Sequence, residues 1–309
     1  MQTESPTGQV EFVRTTASRS RGAANPGVPE IVDARLTKGL PGRFGQLIWP
    51  ARFLFRSSQI WYSNRRFESW RRKFPTKKFR DFYAEVVEPS LLLGEKHPTL
   101  GFNLPRKPFG QSGGSELGRL VECGLTPDDL CVDYGCGTLR IGIHLIKFLK
   151  PGNYWGFDAE AILREGRHLI GHELIAEKAP HLRAISRETV FEAAAKKPRI
   201  VCSHGVVLHV HPDELSEYFF NILSIIRDGG QAIISGKWSD DETIQYSTKT
   251  WAHSLRVLSG KASEFGGELV VQNEKDFWLG DFGRTIKSGR FGLQNQQGTR
   301  GLNRWPTNL

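Results

Sequence analysis

The rhythm of apolar positions changes near residue 111. From there to about residue 290, short apolar runs alternate with stretches whose apolar side chains recur every three or four residues. Leu130-Cys-Val-Asp-Tyr134, Asn153-Tyr-Trp-Gly-Phe157, Arg199-Ile-Val-Cys-Ser203 and Gln231–Ser235 read as buried strands, and Leu182–Ile185 as a weaker one. Between them, Leu139–Leu149, Ala159–Ile175 and His211–Ile226 follow the helical period. The first stops before Pro151-Gly152 and the last opens on Pro212-Asp213-Glu214. Ser115–Cys123 predicts a short helix with Gly124 at its C-cap. A further helix is expected over Thr248–Leu258, and late strands near Leu269–Gln272 and Thr285–Ser288. Strands and helices alternating at this spacing mean βαβ units, hence an α/β domain with a parallel sheet covered by helices on both faces.

Upstream, the pattern is of another kind. Residues 1–40 are rich in Ser, Thr, Gly and Pro with no sustained period, and read as disordered. Residues 41–110 form a basic, aromatic helical extension and linker. Within it Phe53, Ile60, Phe67 and Phe74 recur every seven residues, with Arg56 and Arg71 intruding on the stripe. A helix interrupted near Pro50 and stopped at Pro75 is expected, then a Pro/Gly-rich connector over 101–110. Residues 111–290 are the main domain and 291–309 a flexible basic tail.

Charge sharpens this division. The net +9 is concentrated: residues 51–80 hold ten cations against Glu68, and 282–309 hold five and no acid. The stretch 81–281 is left mildly acidic. Such asymmetry speaks of partners and not of fold. No apolar run approaches the roughly 18 residues of a membrane span. Glu4 and Glu11, with no apolar run beside them, argue against a secretory leader. The four cysteines form no CxxC pair, which suits reduced thiols in a cytoplasmic protein.

The chemistry begins at Val132-Asp-Tyr-Gly-Cys-Gly-Thr-Leu-Arg140. Gly135 and Gly137 stand between a strand and a helix, where small residues let a ligand approach the helix's free N–H groups. Asp158, 21 residues past Gly137, ends the next strand, where a carboxylate can accept both hydroxyls of a ribose. A dinucleotide fingerprint would need a small residue where Arg140 stands, and no phosphate-cradling GxxxxGK[ST] loop occurs. Instead Asp133 precedes the first glycine by two positions. An acid there suits an ammonium, and helix-terminal N–H groups helped by Arg140 suit a carboxylate.

At these residues the chain resembles the class I S-adenosylmethionine-dependent methyltransferases. DYGCGTLR is similar to their (D/E)xGxGxG-like first motif, with Thr138-Leu139 at the third glycine's place. NYWGFD resembles the second strand and its ribose acid, and IVCSHGVVLHV the fourth strand and reaction-site loop. The resemblance covers about 111–290. It implies a Rossmann-like doubly wound sheet of about seven strands with an antiparallel C-terminal hairpin, and S-adenosylmethionine as cofactor. It implies that Asp133 faces the ammonium and Asp158 the ribose. It further implies that Gly135, Cys136, Gly137, Arg140 and Ser203 line the cofactor site, and that 186–190 flank the adenine.

His204, His209 and His211 cluster after the fourth strand. His204, nearest the strand end, is the candidate general base; His209 is expected to pack at the sheet edge. No metal is expected, because His209, His211 and Asp213 lack a further fixed ligand. The function these features imply is methyl transfer to an O or N atom of a small metabolite, a glycan or a lipid-linked intermediate. The alternatives are an RNA methyltransferase that holds its substrate with the basic arm, and a non-catalytic S-adenosylmethionine-binding module. Residues 51–80 suit an anionic membrane surface or RNA, so peripheral membrane association is one expectation. DNA is not an expected partner.

Overall fold

The computed structural model describes residues 42–83, 85, 109–110, 112–226, 229–279 and 284–295. The expected disordered stretch 1–40, most of the connector 101–110 and residues 296–309 lie outside the described residues.

Three strands form the centre: β1 (Cys131–Tyr134), β2 (Tyr154–Asp158) and β4 (Ile200–His204). β1 is buried at every position, as a parallel strand covered on both faces must be. It pairs in parallel with β2 on one side and with β4 on the other. β3 (His181–Ala184) extends the sheet beyond β2, and β5 (Gln231–Ser239) beyond β4. β9 (Arg284–Asn295) then runs antiparallel between β5 and β8 (Gly267–Leu279). The resulting order β3-β2-β1-β4-β5-β9-β8 is a doubly wound sheet closed by an antiparallel hairpin. β9 continues to Asn295, past the point where the tail was expected to begin.

Helices cover both faces. α2 (Gly114–Glu122), α3 (Gly142–Phe148) and α4 (Glu160–Lys178) precede α5 (Arg187–Ala195), α6 (Leu215–Ile225) and α7 (Leu255–Ser263). α6 is apolar almost all round and buried at ten positions. Phe219, Ile222 and Leu223 join Val201, Ile234 and Trp238 in the larger core. The second core, on the opposite face, gathers Leu139, Leu145, Ile146 and Leu163 around Cys131, Ile200 and Cys202.

Two elements depart from the sequence reading. Thr248–Leu258 is not a helix throughout. Thr250–Ser254 is strand β7, paired antiparallel with β6 (Ile244–Ser247), and α7 begins only after Ser254. The extra hairpin is held by the overhanging end of β5, where Trp238 and Ser239 pair with His253 and Ser254. Tertiary pairing has overridden a local helical pattern. The other departure is α1 (Gly42–Lys73), which runs through Pro50 without the expected break and ends before Pro75. Of its seven-residue stripe, Phe67 is buried, Ile60 half-buried and Phe74 exposed, while the Phe53 side chain lies outside the described residues. Phe67 and Trp70 pack with Phe79, Phe82 and Trp251, so this end of α1 and the short helical segment at 79–83 lie on the β6–β7 hairpin. Arg71, apolar-stripe intruder in the sequence, pairs with Glu68 and Asp213.

Candidate functional site

A cavity of about 470 Å³ opens at the carboxyl ends of β1, β2 and β4. This is where a doubly wound sheet leaves a crevice, because the connections diverge to opposite faces. The turn after β1 forms one wall. Gly135 and Gly137 both adopt positive φ, at 80° and 58°. The N–H groups of Gly135 and Cys136 both donate to the Phe157 carbonyl, at 2.7 and 3.0 Å, which ties the turn to the end of β2. Asp158 completes the tie. Its carboxylate accepts the Gly137 and Ala159 N–H groups, each at 2.7 Å.

The third-glycine position holds Leu139, and its φ is +68°. A branched side chain there is strained, since Cβ crowds the carbonyl in the left-handed region. The side chain is nonetheless fully buried, and small neighbours make room for it. A Cβ on Gly142 would stand 2.8 Å from Leu139 and one on Gly166 3.1 Å from it. The chain thus keeps the glycine's backbone shape and spends the side chain on helix packing.

Asp133 is buried at the end of β1 and lines the cavity. Burial raises its carboxyl from the ordinary 3.8 to about 6, against the pull of the Tyr154 hydroxyl, which donates to it at 2.9 Å. Asp158 is likewise raised by burial to about 6, against its two backbone donors. Among the described residues no cation forms an ion pair with Asp133. Arg140, which also lines the cavity, turns to Glu116 at 3.7 Å.

His204 lines the cavity, and both its ring nitrogens have neighbours. Nδ1 lies 2.7 Å from the Ser235 hydroxyl and Nε2 3.5 Å from Glu116. Burial, assisted by the Arg140 charge, lowers its pKa to about 4, so the ring is neutral at pH 7. His209 is also lowered to about 4 by burial. Its Nδ1 sits 2.9 Å from the Lys249 carbonyl. A carbonyl only accepts, so Nδ1 carries the proton and Nε2 keeps its lone pair. Besides packing, His209 lines the cavity.

Gly135, Cys136 and Gly137 line the cavity too, but Ser203 does not. Ser203 is fully buried behind the wall and accepts the Tyr218 hydroxyl at 2.8 Å, which links it to a ring that does line the cavity. The stretch 186–190 is also absent from the wall. Ser186 and Thr189 cap α5 reciprocally, and Ile162 and Ile185 supply the apolar surface instead.

Residues the sequence did not single out close the other side. Arg80 and Tyr83, from the basic arm, line the cavity with Glu214 and Tyr218. The Phe79 N–H donates to Glu214, and Glu217 takes Arg80 at 3.0 Å and Lys78 at 3.3 Å. Burial pushes Glu214 up to about 7. Tyr83 lies 5.3 Å from the His209 ring, with Lys249 Nζ 4.8 Å over its own. Nothing local in the sequence connects position 80 with 217. Tyr154, by contrast, stands in the NYWGFD strand, two positions ahead of Gly156, where alternation places it on one face of the sheet.

No known family pattern matches the chain. Among solved structures, magnesium protoporphyrin IX methyltransferase from Synechocystis with bound S-adenosylmethionine is similar at 17% identity and TM-score 0.41, over 60% of this chain and 78% of that one. Phosphoethanolamine N-methyltransferase 1 of Haemonchus contortus, with phosphoethanolamine and S-adenosylhomocysteine, is similar at 11% identity and TM-score 0.45, over 72% and 50%. Geranyl diphosphate methyltransferase, with its diphosphate and sinefungin, is similar at 14% and 0.44, over 59% and 78%. The sheet order, the crossover connections and the closing antiparallel hairpin give this chain a Rossmann-like, doubly wound α/β fold.

Proposed function

We propose that the protein transfers a methyl group from S-adenosylmethionine to an O or N atom of a small-molecule acceptor. One observation carries the reading: the glycine turn and Asp158 are hydrogen-bonded to each other at the mouth of a cavity that also holds the buried Asp133, which forms no ion pair among the described residues. The donor set fits the cofactor's charges. Asp133 would hold the ammonium, Asp158 the ribose hydroxyls, and Ile162 and Ile185 the adenine faces. Bound there, S-adenosylmethionine supplies an electrophilic methyl group. The chain's part is to orient it, exclude water and take the acceptor's proton.

For that last step Glu214 and His204 both line the cavity, and Glu214 is the better matched in pKa. Its carboxyl, raised by burial to about 7, matches the pKa of an effective base at neutral pH, whereas a ring near 4 does not. Replacing Glu214 by glutamine is expected to lower transfer of labelled methyl into a metabolite extract by about 100-fold. Cofactor affinity should stay as it is. Undiminished transfer would rule Glu214 out as the base.

Titration calorimetry tests the cofactor reading. Asp158→Ala is expected to weaken S-adenosylmethionine binding by about 1–3 kcal/mol, the range of hydrogen bonds to a charged group. The pH dependence has a distinctive sign. Both aspartates are raised above 3.8, so the stability of the unliganded fold that they govern is greatest below 3.8 and is lost as pH rises through about 6. An ammonium and a ribose need the ionised forms, so affinity must instead fall as pH drops through 6. No binding heat and no thermal shift with S-adenosylmethionine would reject the proposal.

A further inference from the structure

From Leu54 onward α1 has two unlike faces. One holds Phe67 and Trp70 against the body and is tied to the β6–β7 hairpin. The Ser63 hydroxyl donates to the Thr248 carbonyl at 3.2 Å and the Asn64 amide to Gln245 at 2.8 Å. With 3.6 residues per turn, positions 54, 58, 61, 65, 69 and 72 fall on the opposite side, flanked by 55, 62, 66 and 73. There Leu54 is 66% exposed, Phe55 48%, and Trp61 and Tyr62 61% each. Further along the same side Arg65, Arg66, Arg72 and Lys73 are all exposed. Glu68 is the helix's one acid and is closed off by Arg71 at 3.0 Å.

Four neighbouring large apolar side chains in water are unusual for a protein surface and mark a docking site. Their arrangement says what docks. Apolar groups occupy 54–62 and cations 65–73, so the two are segregated along the axis. A helix lying on a lipid interface at a shallow tilt meets those environments side by side, its 54–62 stretch at the acyl boundary and its 65–73 stretch among phosphates. Trp and Tyr, with apolar bodies and polar tips, suit the boundary. A nucleic-acid track would instead alternate rings with cations, and it gives Leu54 nothing to do.

We propose that this face of α1 docks on an anionic phospholipid bilayer, with Leu54, Phe55, Trp61 and Tyr62 entering the headgroup boundary and Arg65, Arg66, Arg72 and Lys73 meeting lipid phosphates. The docking does not depend on the methyltransferase reading. Its functional consequence does: the short helical segment after α1 supplies Arg80 and Tyr83 to the cavity, so a docked helix brings the cavity wall close to a lipid-dissolved acceptor.

The test is co-sedimentation of the full chain with vesicles of zwitterionic phospholipid alone and with an equal share of anionic phospholipid. Binding is expected only to the anionic vesicles, and salt should weaken it. Arg65→Glu with Arg66→Glu should reduce it by at least about 25-fold, at about fivefold for each cation removed. Trp61→Ser with Leu54→Ser should abolish it at high salt, where insertion alone remains. These side chains point outward, so the variants' melting temperatures should match the parent's. The proposal is overturned by absence of binding to anionic vesicles, or by binding that both variants leave intact. It is overturned equally if the chain ignores vesicles while binding single-stranded RNA through these same residues.

Discussion

Alanine at position 135 is expected to cost about 2–5 kcal/mol of stability and to lower S-adenosylmethionine affinity at least tenfold. Two penalties combine. The glycine's φ of 80° is a left-handed conformation that costs an L residue about 1–2 kcal/mol. The added methyl would also stand 2.3 Å from one Val206 methyl and 2.9 Å from the other. Val206 is short and branched, so no flexible tip can swing aside, and such overpacking costs about 1–3 kcal/mol. The strain falls on the site itself, because Val206 follows β4 and lines the same cavity as the glycine turn. Val206→Ala in the Gly135→Ala background separates the penalties. It should return the overpacking share and leave the backbone share. Thermal unfolding and calorimetry read both; a Gly135→Ala protein that melts and binds like the parent would show the turn to be slack.

How much of this was legible in the sequence follows the range of the interactions involved. The stretch from β1 through the glycine turn to Asp158 was readable because its parts are close in sequence and each follows a local rule. A buried apolar run made the strand, glycines made the left-handed turn, and the acid fell at the next strand's end. Leu139 marks the edge of that legibility. By residue type it breaks the glycine pattern, yet its backbone obeys it, and only Gly142 and Gly166 packed around it explain how. The β6–β7 hairpin was hidden because Thr248–Leu258 shows a helical pattern, while the nine-residue β5 offers an overhanging edge that captures Thr250–Ser254 as a strand. Ser203 lies behind the wall for a related reason. Side chains alternate along a strand, and one position separates a residue lining a crevice from one buried behind it. Arg80, Tyr83 and Glu214 were out of reach altogether, since their meeting depends on an arm that folds back across more than a hundred residues.

That meeting has a measurable strength. Replacing Lys78 and Arg80 together by methionine is expected to destabilise the fold by about 2–3 kcal/mol. Both cations serve Glu217, a buried residue on α6 that keeps no other ion-pair partner among the described residues. Stripping the partners from a buried charge costs about 3–5 kcal/mol, and the lower figure here allows for the cations themselves being about one-third exposed. The loss should not be additive with removal of the acid. Glu217→Gln in the same background relieves the stranded charge and should recover at least about 1 kcal/mol, the coupling expected of contacting groups. Because Phe79 and Phe82 are buried beside these cations while Arg80 and Tyr83 form cavity wall, detachment of 78–83 should also speed protease cleavage there and weaken cofactor binding. A double variant that melts with the parent would reduce the pairs to surface contacts, and the arm would then be held by its aromatic cluster alone.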